Sequence, residues 1–389
     1  MSNNQQNVSR FDLNLAFILF LFFCVSCIAI YSAQTLGQYG ENFLVKQIVW
    51  YVVGSIIISS VMFLDSEQFQ KLSWYLYGFG NFLLVLLIVA PPSIAPVING
   101  AKSWFKFPGI GSLQPSEFVK VFLIIALSNV ITRHNEKHRI RTIREDFLLL
   151  FKMGLTLLLP LMLIMQQPDL GTSLVLISIF SGLVFVSGVS WKIITPVFLG
   201  AATIGGAILS LVIYFPEALE KYLGVKQYQL GRIYSWLDPY SYSGGEGYHL
   251  QKSLLAIGSG MVNGKGFANG EVYFPESHTD FIFAVIGEEF GFIGCSVVIS
   301  LFFVLIYYLI KLGLETKNDF NSYLCVGVIS MITFHVFQNI GMTIGVVPIT
   351  GIPLPFISYG GSSLMGNMLA MGLMFSVSYH YKRFMFSSE

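Results

Sequence analysis

The chain has 389 residues, of which 54% are hydrophobic and only 11% are charged. A typical soluble domain has about 25% charged residues, so a water-soluble protein of this size could not cover its surface with so few charges. The formal net charge of +1 provides no global field that would favour nucleic acid as a partner. The composition therefore predicts an integral membrane protein whose exterior largely contacts lipid.

Apolar segments long enough to cross a bilayer run through the whole chain, since a spanning helix needs about 20 mostly apolar residues. Ten are predicted, at roughly 13–34, 45–64, 71–90, 115–132, 147–166, 170–188, 191–215, 281–310, 321–344 and 360–381. We expect residues 1–10 to be disordered. The sequence thus predicts one all-α polytopic membrane domain over residues 1–389, with a large loop, 216–280, before the eighth span.

Lysine and arginine predict the orientation, because short cytoplasmic segments carry an excess of them. Twelve fall in the short segments on the side of the two termini, whereas three fall in the short loops on the other side. Both termini are therefore predicted to be cytoplasmic, and the 216–280 loop is predicted to lie outside.

Polar residues gather near the predicted outer ends of the spans. Lys102 lies in an outer loop, while Glu117 and Lys120 are three residues apart at the start of the fourth span and so share a helix face. They form either an ion pair that only steadies the bundle or a pair that lines a substrate cavity. Asp169 begins the sixth span, where it either caps the helix or contributes to the same cavity.

The long loop mixes basic, aromatic and apolar residues in a way typical of helices at a membrane interface. We predict one such helix within 217–236, which contains Arg232, and a second interfacial or re-entrant helix at 248–260. Lys265 follows in a Gly-rich segment whose spacing matches no phosphate-binding loop, so we interpret it as a turn.

Asp280 lies where this loop becomes the eighth span. Asp is a common N-cap, but Thr279 could cap the helix instead, which would leave Asp280 for chemistry. Glu288 and Glu289 are consecutive and point about 100° apart, so they cannot both face lipid without a large cost.

The last outer loop, residues 348–363, contains three prolines and repeated glycines, together with Ser358 and Ser362. This composition forbids a regular helix. Irregular backbone at membrane depth is tolerated only where it lines a cavity or is buried in protein, so we expect one of these two situations here.

Six stretches of these clusters resemble the motifs of one family. They are Asn-Gly-Ala-Lys-Ser-Trp (99–104), Gln-Pro-Ser-Glu-Phe-Val-Lys (114–120), Gln-Pro-Asp-Leu-Gly-Thr (167–172), Arg-Ile-Tyr-Ser-Trp-Leu-Asp-Pro (232–239), His-Thr-Asp-Phe-Ile-Phe-Ala-Val-Ile-Gly-Glu-Glu (278–289) and Pro-Ile-Thr-Gly-Ile-Pro-Leu-Pro-Phe-Ile-Ser-Tyr-Gly-Gly-Ser (348–362). The chain resembles the SEDS family of shape, elongation, division and sporulation proteins, and it is most similar to the RodA branch.

This resemblance implies a peptidoglycan glycosyltransferase of the bacterial cytoplasmic membrane. Members polymerise lipid II on the outer face, together with a class B penicillin-binding protein that crosslinks the strands. By position, Asp280 matches the family's essential aspartate, and Glu117 and Lys120 match its buried ion pair.

The chemistry of such a reaction needs one base. A diphosphate leaves readily once its charge is screened, whereas glycosidases need a second carboxyl group for a poor alkoxide leaving group. Asp280 is the predicted general base of a single, inverting displacement. Lys102, Arg232, Lys265 and a divalent cation (Mg or Mn) are candidates to screen the diphosphate.

Three other functions remain open at this point. A lipid II flippase would use the same cavity without forming a bond, and polar residues through the whole bilayer depth would favour it. A non-catalytic scaffold for the penicillin-binding protein would leave Asp280 as a cap. A proton-coupled transporter would show inverted repeats, which the sequence lacks.

Overall fold

The computed structural model describes residues 11–35, 42–98, 100–107, 111–138, 142–214, 227–241, 246–273 and 275–385, so the predicted disorder of residues 1–10 lies outside the described part. Twelve helices lie within these residues. They are α1 (Leu13–Thr35), α2 (Phe43–Val61), α3 (Ser66–Val89), α4 (Pro115–Lys137), α5 (Ile143–Met165), α6 (Leu170–Val186), α7 (Trp191–Tyr214), α8 (Gln227–Leu237), α9 (Glu246–Gly260), α10 (Ile282–Glu315), α11 (Asp319–Thr343) and α12 (Gly361–Met385).

The all-α polytopic fold is confirmed, because a helix occupies each of the ten predicted spans. Eight of these helices are long and apolar enough to cross a membrane. Helix α6 is apolar but has only 17 residues, and α12 has 25 residues but lower hydropathy, so for these two the crossing stays a prediction. A short antiparallel hairpin, β1 (Phe105–Phe107) and β2 (Gly111–Leu113), precedes α4 and was not predicted.

Helix α4 is the centre of the bundle. It packs against α3, α5, α6, α11 and α12, and 83% of its most apolar stretch is buried. Helix α7, by contrast, lies at the periphery, where only 6% of the equivalent stretch is buried. Glu117 and Lys120 of α4 therefore face protein rather than lipid, which lowers the cost of carrying them.

The long loop contains two helices, as predicted. Helix α8 covers the second half of the segment 217–236, whose first half lies outside the described residues. Helix α9 packs against α10 and α11, and its buried Ser253 donates a hydrogen bond to the carbonyl of Thr343 at 2.8 Å. Trp236 of α8 donates to the carbonyl of Gly345 at 2.8 Å. Both helices are thus fixed to the C-terminal end of α11.

Helix α10 is interrupted at Gly291, whose φ of 61° and ψ of −156° are not helical. The interruption leaves carbonyls before it and N–H groups after it without their partners within the helix. Backbone groups of residues 261–266, the segment that follows α9, take the place of these partners. Lys265 and Gly266 donate backbone N–H groups to the carbonyls of Glu288 and Glu289, each at 3.0 Å.

The same segment accepts hydrogen bonds from the far side of the interruption. Phe292 and Ile293 donate N–H groups to the carbonyls of Met261 and Val262, at 3.0 and 3.2 Å. The segment 261–266 therefore inserts into α10 and satisfies both of its broken ends. We had predicted one continuous span at 281–310, and this interruption is a correction to it.

Two glycines allow this insertion. Gly264 has a φ of +77°, and a Cβ atom there would lie 2.1 Å from the carbonyl oxygen of Glu289. A Cβ atom at Gly291 would lie 2.4 Å from the backbone nitrogen of Gly264. Only glycine fits the left-handed conformation and the close backbone approach at these positions.

The Gly264→Ala variant should be less stable than the wild type, by about 1–3 kcal/mol, because it combines backbone strain with overpacking. Gly258→Ala is the matched control, since its added Cβ meets nothing within 4 Å and alanine favours a helix. Thermal unfolding in detergent should show a lower melting temperature for Gly264→Ala only. Equal melting temperatures for the two variants would contradict the tight insertion.

Candidate functional site

Asp280 lies half-buried in the turn that leads into α10. The helix begins at Ile282 with Phe281 at its N-cap, and no side chain caps this end. The alternative in which Asp280 or Thr279 caps the helix is therefore wrong. The carboxylate of Asp280 is therefore not used to cap α10.

Hydrogen bonds fix the backbone of this turn to the last loop, residues 348–360, and to α11. The side-chain amide of Asn339, on α11, donates to the carbonyls of Asp280 and Ile352 at 2.8 and 2.7 Å. The hydroxyl of Ser358 donates to the carbonyl of Thr279 at 2.6 Å. The backbone carbonyls of residues 279 and 280 are thus both held by side chains of other elements, which fixes the point from which the Asp280 side chain extends.

His278, two residues before Asp280, adds a further attachment. Its ring stacks on Phe43 with centroids 4.2 Å apart, and its carbonyl accepts the N–H of Tyr359 at 2.9 Å. Burial of the ring lowers the pKa of His278, although Glu276 opposes this effect. The turn is therefore anchored to α2 as well as to the last loop.

The last loop is itself held from α1 and α2. Ser26, Gln47 and Tyr51 donate side-chain hydrogen bonds to three consecutive carbonyls, those of residues 356–358. All three donors are buried. The irregular backbone of this loop is thus buried in protein and satisfied by side chains, which is one of the two situations predicted for it.

The carboxylate of Asp280 lies directly beside the backbone of this loop. A Cβ atom added at Gly351 would lie 3.3 Å from Oδ2 of Asp280, and Gly351 has a φ of +70°. The positive φ favours glycine here, and a side chain at this position would crowd the carboxylate. Because Gly351 has no side chain, the Asp280 carboxylate has room beside the loop.

Glu117 and Lys120 form the predicted ion pair, with 2.7 Å between Oε2 and Nζ. Their residues are 4% and 2% exposed, so the pair is buried. A third residue, His335 of α11, lies with its Nε2 atom 3.1 Å from the same Nζ atom and is 2% exposed. The pair is therefore part of a three-residue network that joins α4 to α11.

This network and the Asp280 turn share one face of α11. His335 and Asn339 are four residues apart, so their side chains lie on the same face, separated by about 6 Å along the helix axis. The charged network thus lies about one helical turn from the Asn339 amide that holds the Asp280 turn, on the N-terminal side of that amide.

Asp169 is the N-cap of α6, and its Oδ1 atom accepts the N–H of Thr172 at 2.9 Å. Its Oδ2 atom accepts the side-chain amide of Gln114, the residue before α4, at 3.0 Å. The capping alternative is confirmed, and the contribution of Asp169 to a substrate cavity stays a prediction. Ser362, at the start of α12, accepts the backbone N–H of Gln114 at 2.9 Å.

Lys102 and Arg232, two of the predicted diphosphate contacts, lie on different elements. The ammonium of Lys102 donates to the carbonyls of Ile88 and Ala90 at the end of α3, the first at 2.8 Å. This contact satisfies carbonyls that a helix end leaves free. Arg232 is half-buried on α8.

Lys265 and Glu288, also predicted site residues, pair with each other at 2.7 Å. Lys265 also contacts Glu271 at 3.0 Å, and the hydrogen bond to Glu288 raises the pKa of Lys265. Glu289 accepts hydrogen bonds from the hydroxyl of Ser32 and from the N–H of Ala268. Both glutamates are buried and partnered, which explains how consecutive carboxylates are tolerated within a span.

One group among the described residues has the composition of a metal site, namely His134, His138 and Glu145, whose ligand atoms lie within 4.8 Å of one another. The ammonium of Lys152 lies 3.4 Å from Nδ1 of His134 and opposes a second cation there. The group lies at the opposite end of α4 from Glu117. The divalent cation (Mg or Mn) suggested for the diphosphate stays a prediction.

Sequence reasoning did not identify His335, Ser26, Gln47 or Tyr51 as parts of the site. A signal was present, because polar side chains within apolar spans are costly and are kept for a reason. Without the packing of the helices, however, nothing in the sequence showed which of them face the last loop or α4.

Curated relatives match the chain over nearly its whole length. Stage V sporulation protein E of Bacillus subtilis is 34% identical, and the alignment covers 96% of this chain and 98% of the relative. Peptidoglycan glycosyltransferase MrdB of Escherichia coli is 32% identical, with 95% and 94% covered.

Solved structures agree with the fold. A chain from a peptidoglycan synthase complex that coordinates polymerisation and crosslinking superposes with a TM-score of 0.74, at 28% identity over 97% of this chain and 99% of that chain. Rod shape determining protein RodA of Thermus thermophilus gives a TM-score of 0.66, at 26% identity over 96% and 98%.

The family model for FtsW, RodA and SpoVE, described as cell cycle proteins, matches residues 8–383. With this coverage, and with relatives above 30% identity along almost the entire chain, the protein belongs to the SEDS family that its motifs indicated.

Proposed function

We propose that the protein is a glycosyltransferase that polymerises lipid II at the outer face of the bacterial cytoplasmic membrane. The observation that carries this proposal is Asp280, a carboxylate that caps no helix and whose backbone is held by Asn339 and the last loop. A general base must be fixed within hydrogen-bond reach of the proton that it takes. The hydrogen bonds that hold the backbone of the Asp280 turn support this role.

The reaction proceeds as one displacement. Asp280 accepts the proton of the acceptor sugar hydroxyl while the hydroxyl oxygen attacks the anomeric carbon of the donor. The bond from this carbon to the lipid diphosphate breaks on the opposite face, so the configuration inverts. Positive charge near the diphosphate stabilises its departure, and Lys102, Arg232, Lys265 and a divalent cation (Mg or Mn) are the candidates for it.

The relatives support this activity and suggest a partner. MrdB and several FtsW relatives are named peptidoglycan glycosyltransferases. One structural neighbour comes from a complex that couples polymerisation to crosslinking. We therefore propose that the chain works with a class B penicillin-binding protein in cell elongation, with both termini in the cytoplasm.

Asp280→Asn should lose polymerisation of lipid II by about 10²–10⁴-fold, because an amide cannot act as a base. The purified protein with its class B partner would be given lipid II, and the polymer would be measured on a gel. Asp65→Asn is the control, since Asp65 caps α3 and asparagine caps about as well. This control should retain wild-type activity.

Equal polymer from wild type and a folded Asp280→Asn variant would remove Asp280 from the chemistry. If wild type binds lipid II but makes no polymer, the flippase or the scaffold would replace the enzyme as the proposed function.

Gly351→Ala should lower the polymerisation rate by about 10-fold or more, because its methyl group displaces the Asp280 carboxylate. Gly345→Ala is a matched control, since Gly345 also has a positive φ, of +76°, but its added Cβ would meet only Leu250 and Leu254 at 3.8 Å. Both variants carry backbone strain, so the difference between their rates reports on the carboxylate. Equal rates would contradict the proposed contact.

A further inference from the structure

The protons of the buried network can be assigned from its donors and acceptors. A lysine ammonium has three donors and no acceptor, and the Nζ atom of Lys120 lies 2.7 Å from the carboxylate of Glu117. The Nε2 atom of His335, 3.1 Å from Nζ, must then accept a hydrogen bond. The imidazole is therefore neutral and carries its hydrogen on Nδ1.

This assignment leaves a buried donor that meets no acceptor among the described residues. The Nδ1 atom of His335 is buried and has no hydrogen-bond partner among the described residues. A buried polar group without a partner costs stability, whereas an apolar side chain of similar volume would not. The stability of the bundle alone therefore does not explain a histidine at this position.

The position of His335 on α11 suggests what it does. The ammonium of Lys120 contacts Glu117 on its own helix, α4, and His335 on α11. This contact between the two helices fixes the rotation of α11 against the centre of the bundle. One turn further along the same face, Asn339 holds the carbonyls of Asp280 and Ile352. The rotation of α11 thus sets the place of the Asp280 turn.

We propose that His335 is a positioning residue for Asp280. Through its hydrogen bond to Lys120 it keeps α11 in the rotation at which Asn339 holds the Asp280 turn and the last loop together. This inference rests on the proposed function, because its consequence is a rate of polymerisation.

The test compares two substitutions of one residue. His335→Leu removes the acceptor for Lys120, and we expect kcat for lipid II polymerisation to fall about 10–100-fold while KM stays within about twofold. His335→Gln supplies an amide oxygen that can accept from Lys120, and we expect it to restore kcat to within about threefold of wild type. A residue that only fills space would not show this rescue.

His380→Leu is the matched control, because His380 is buried on α12 and its Nδ1 atom contacts only the carbonyl of Ser376, at 3.0 Å, among the described contacts. Its kcat should stay at the wild-type value. If His335→Leu does not fold, His335→Asn replaces it, since its amide is one methylene too short to reach Lys120, and the same loss of kcat is expected.

A double-variant comparison tests the path through Asn339. His335→Leu and Asn339→Ala act on the same turn, so their combined loss of kcat should be smaller than the product of the separate losses. Fully multiplicative losses would overturn the proposed path.

The outcomes separate the two proposals. Wild-type polymer together with an unchanged kcat for His335→Leu, or with no rescue by a folded His335→Gln, would overturn the positioning role and leave the enzyme intact. A wild type that binds lipid II but forms no polymer would overturn the proposed function and this inference with it.

Discussion

Backbone N–H and carbonyl groups inside a bilayer must find partners within the protein, and the structure depends on how two irregular segments meet this constraint. One is the interruption of α10 at Gly291, and the other is the Pro-rich loop before α12. Segment 261–266 supplies backbone groups to the interruption. Buried side chains of α1, α2 and α11 supply donors to the loop.

The side chains that solve this problem also build the candidate site. Asn339 donates to one carbonyl of the loop and to the carbonyl of Asp280, so the same amide satisfies the backbone and places the proposed base. Ser358 behaves similarly, because it accepts the N–H of Leu354 within the loop and donates to the turn at Thr279. A site supported by such a second layer of contacts holds its geometry without depending on the substrate.

Much of this could be predicted from the sequence, because the relevant signals are local. The apolar segments marked the helices, and the spacing of Glu117 and Lys120 placed them on one face. The pairing with His335 could not be predicted, because it depends on how α4 packs against α11. The interruption at Gly291 was missed because a single glycine in an apolar run is common in uninterrupted helices. The capping alternative for Asp280 failed because the helix begins two residues later, at a boundary that sequence patterns fix poorly.

The contacts of α1 are with residues that are synthesised much later in the chain. Ser32 bonds to Glu289, which lies 257 residues further along the chain. Ser26 bonds to the carbonyl of Ile357, which lies 331 residues further along. At cellular rates of translation the first helix waits on the order of tens of seconds for these partners, with its hydroxyls free to bond to its own carbonyls. A nascent chain that has already made Asp280 still lacks the last loop that holds it. The segments that hold the Asp280 turn therefore come together only with the final stretch of translation.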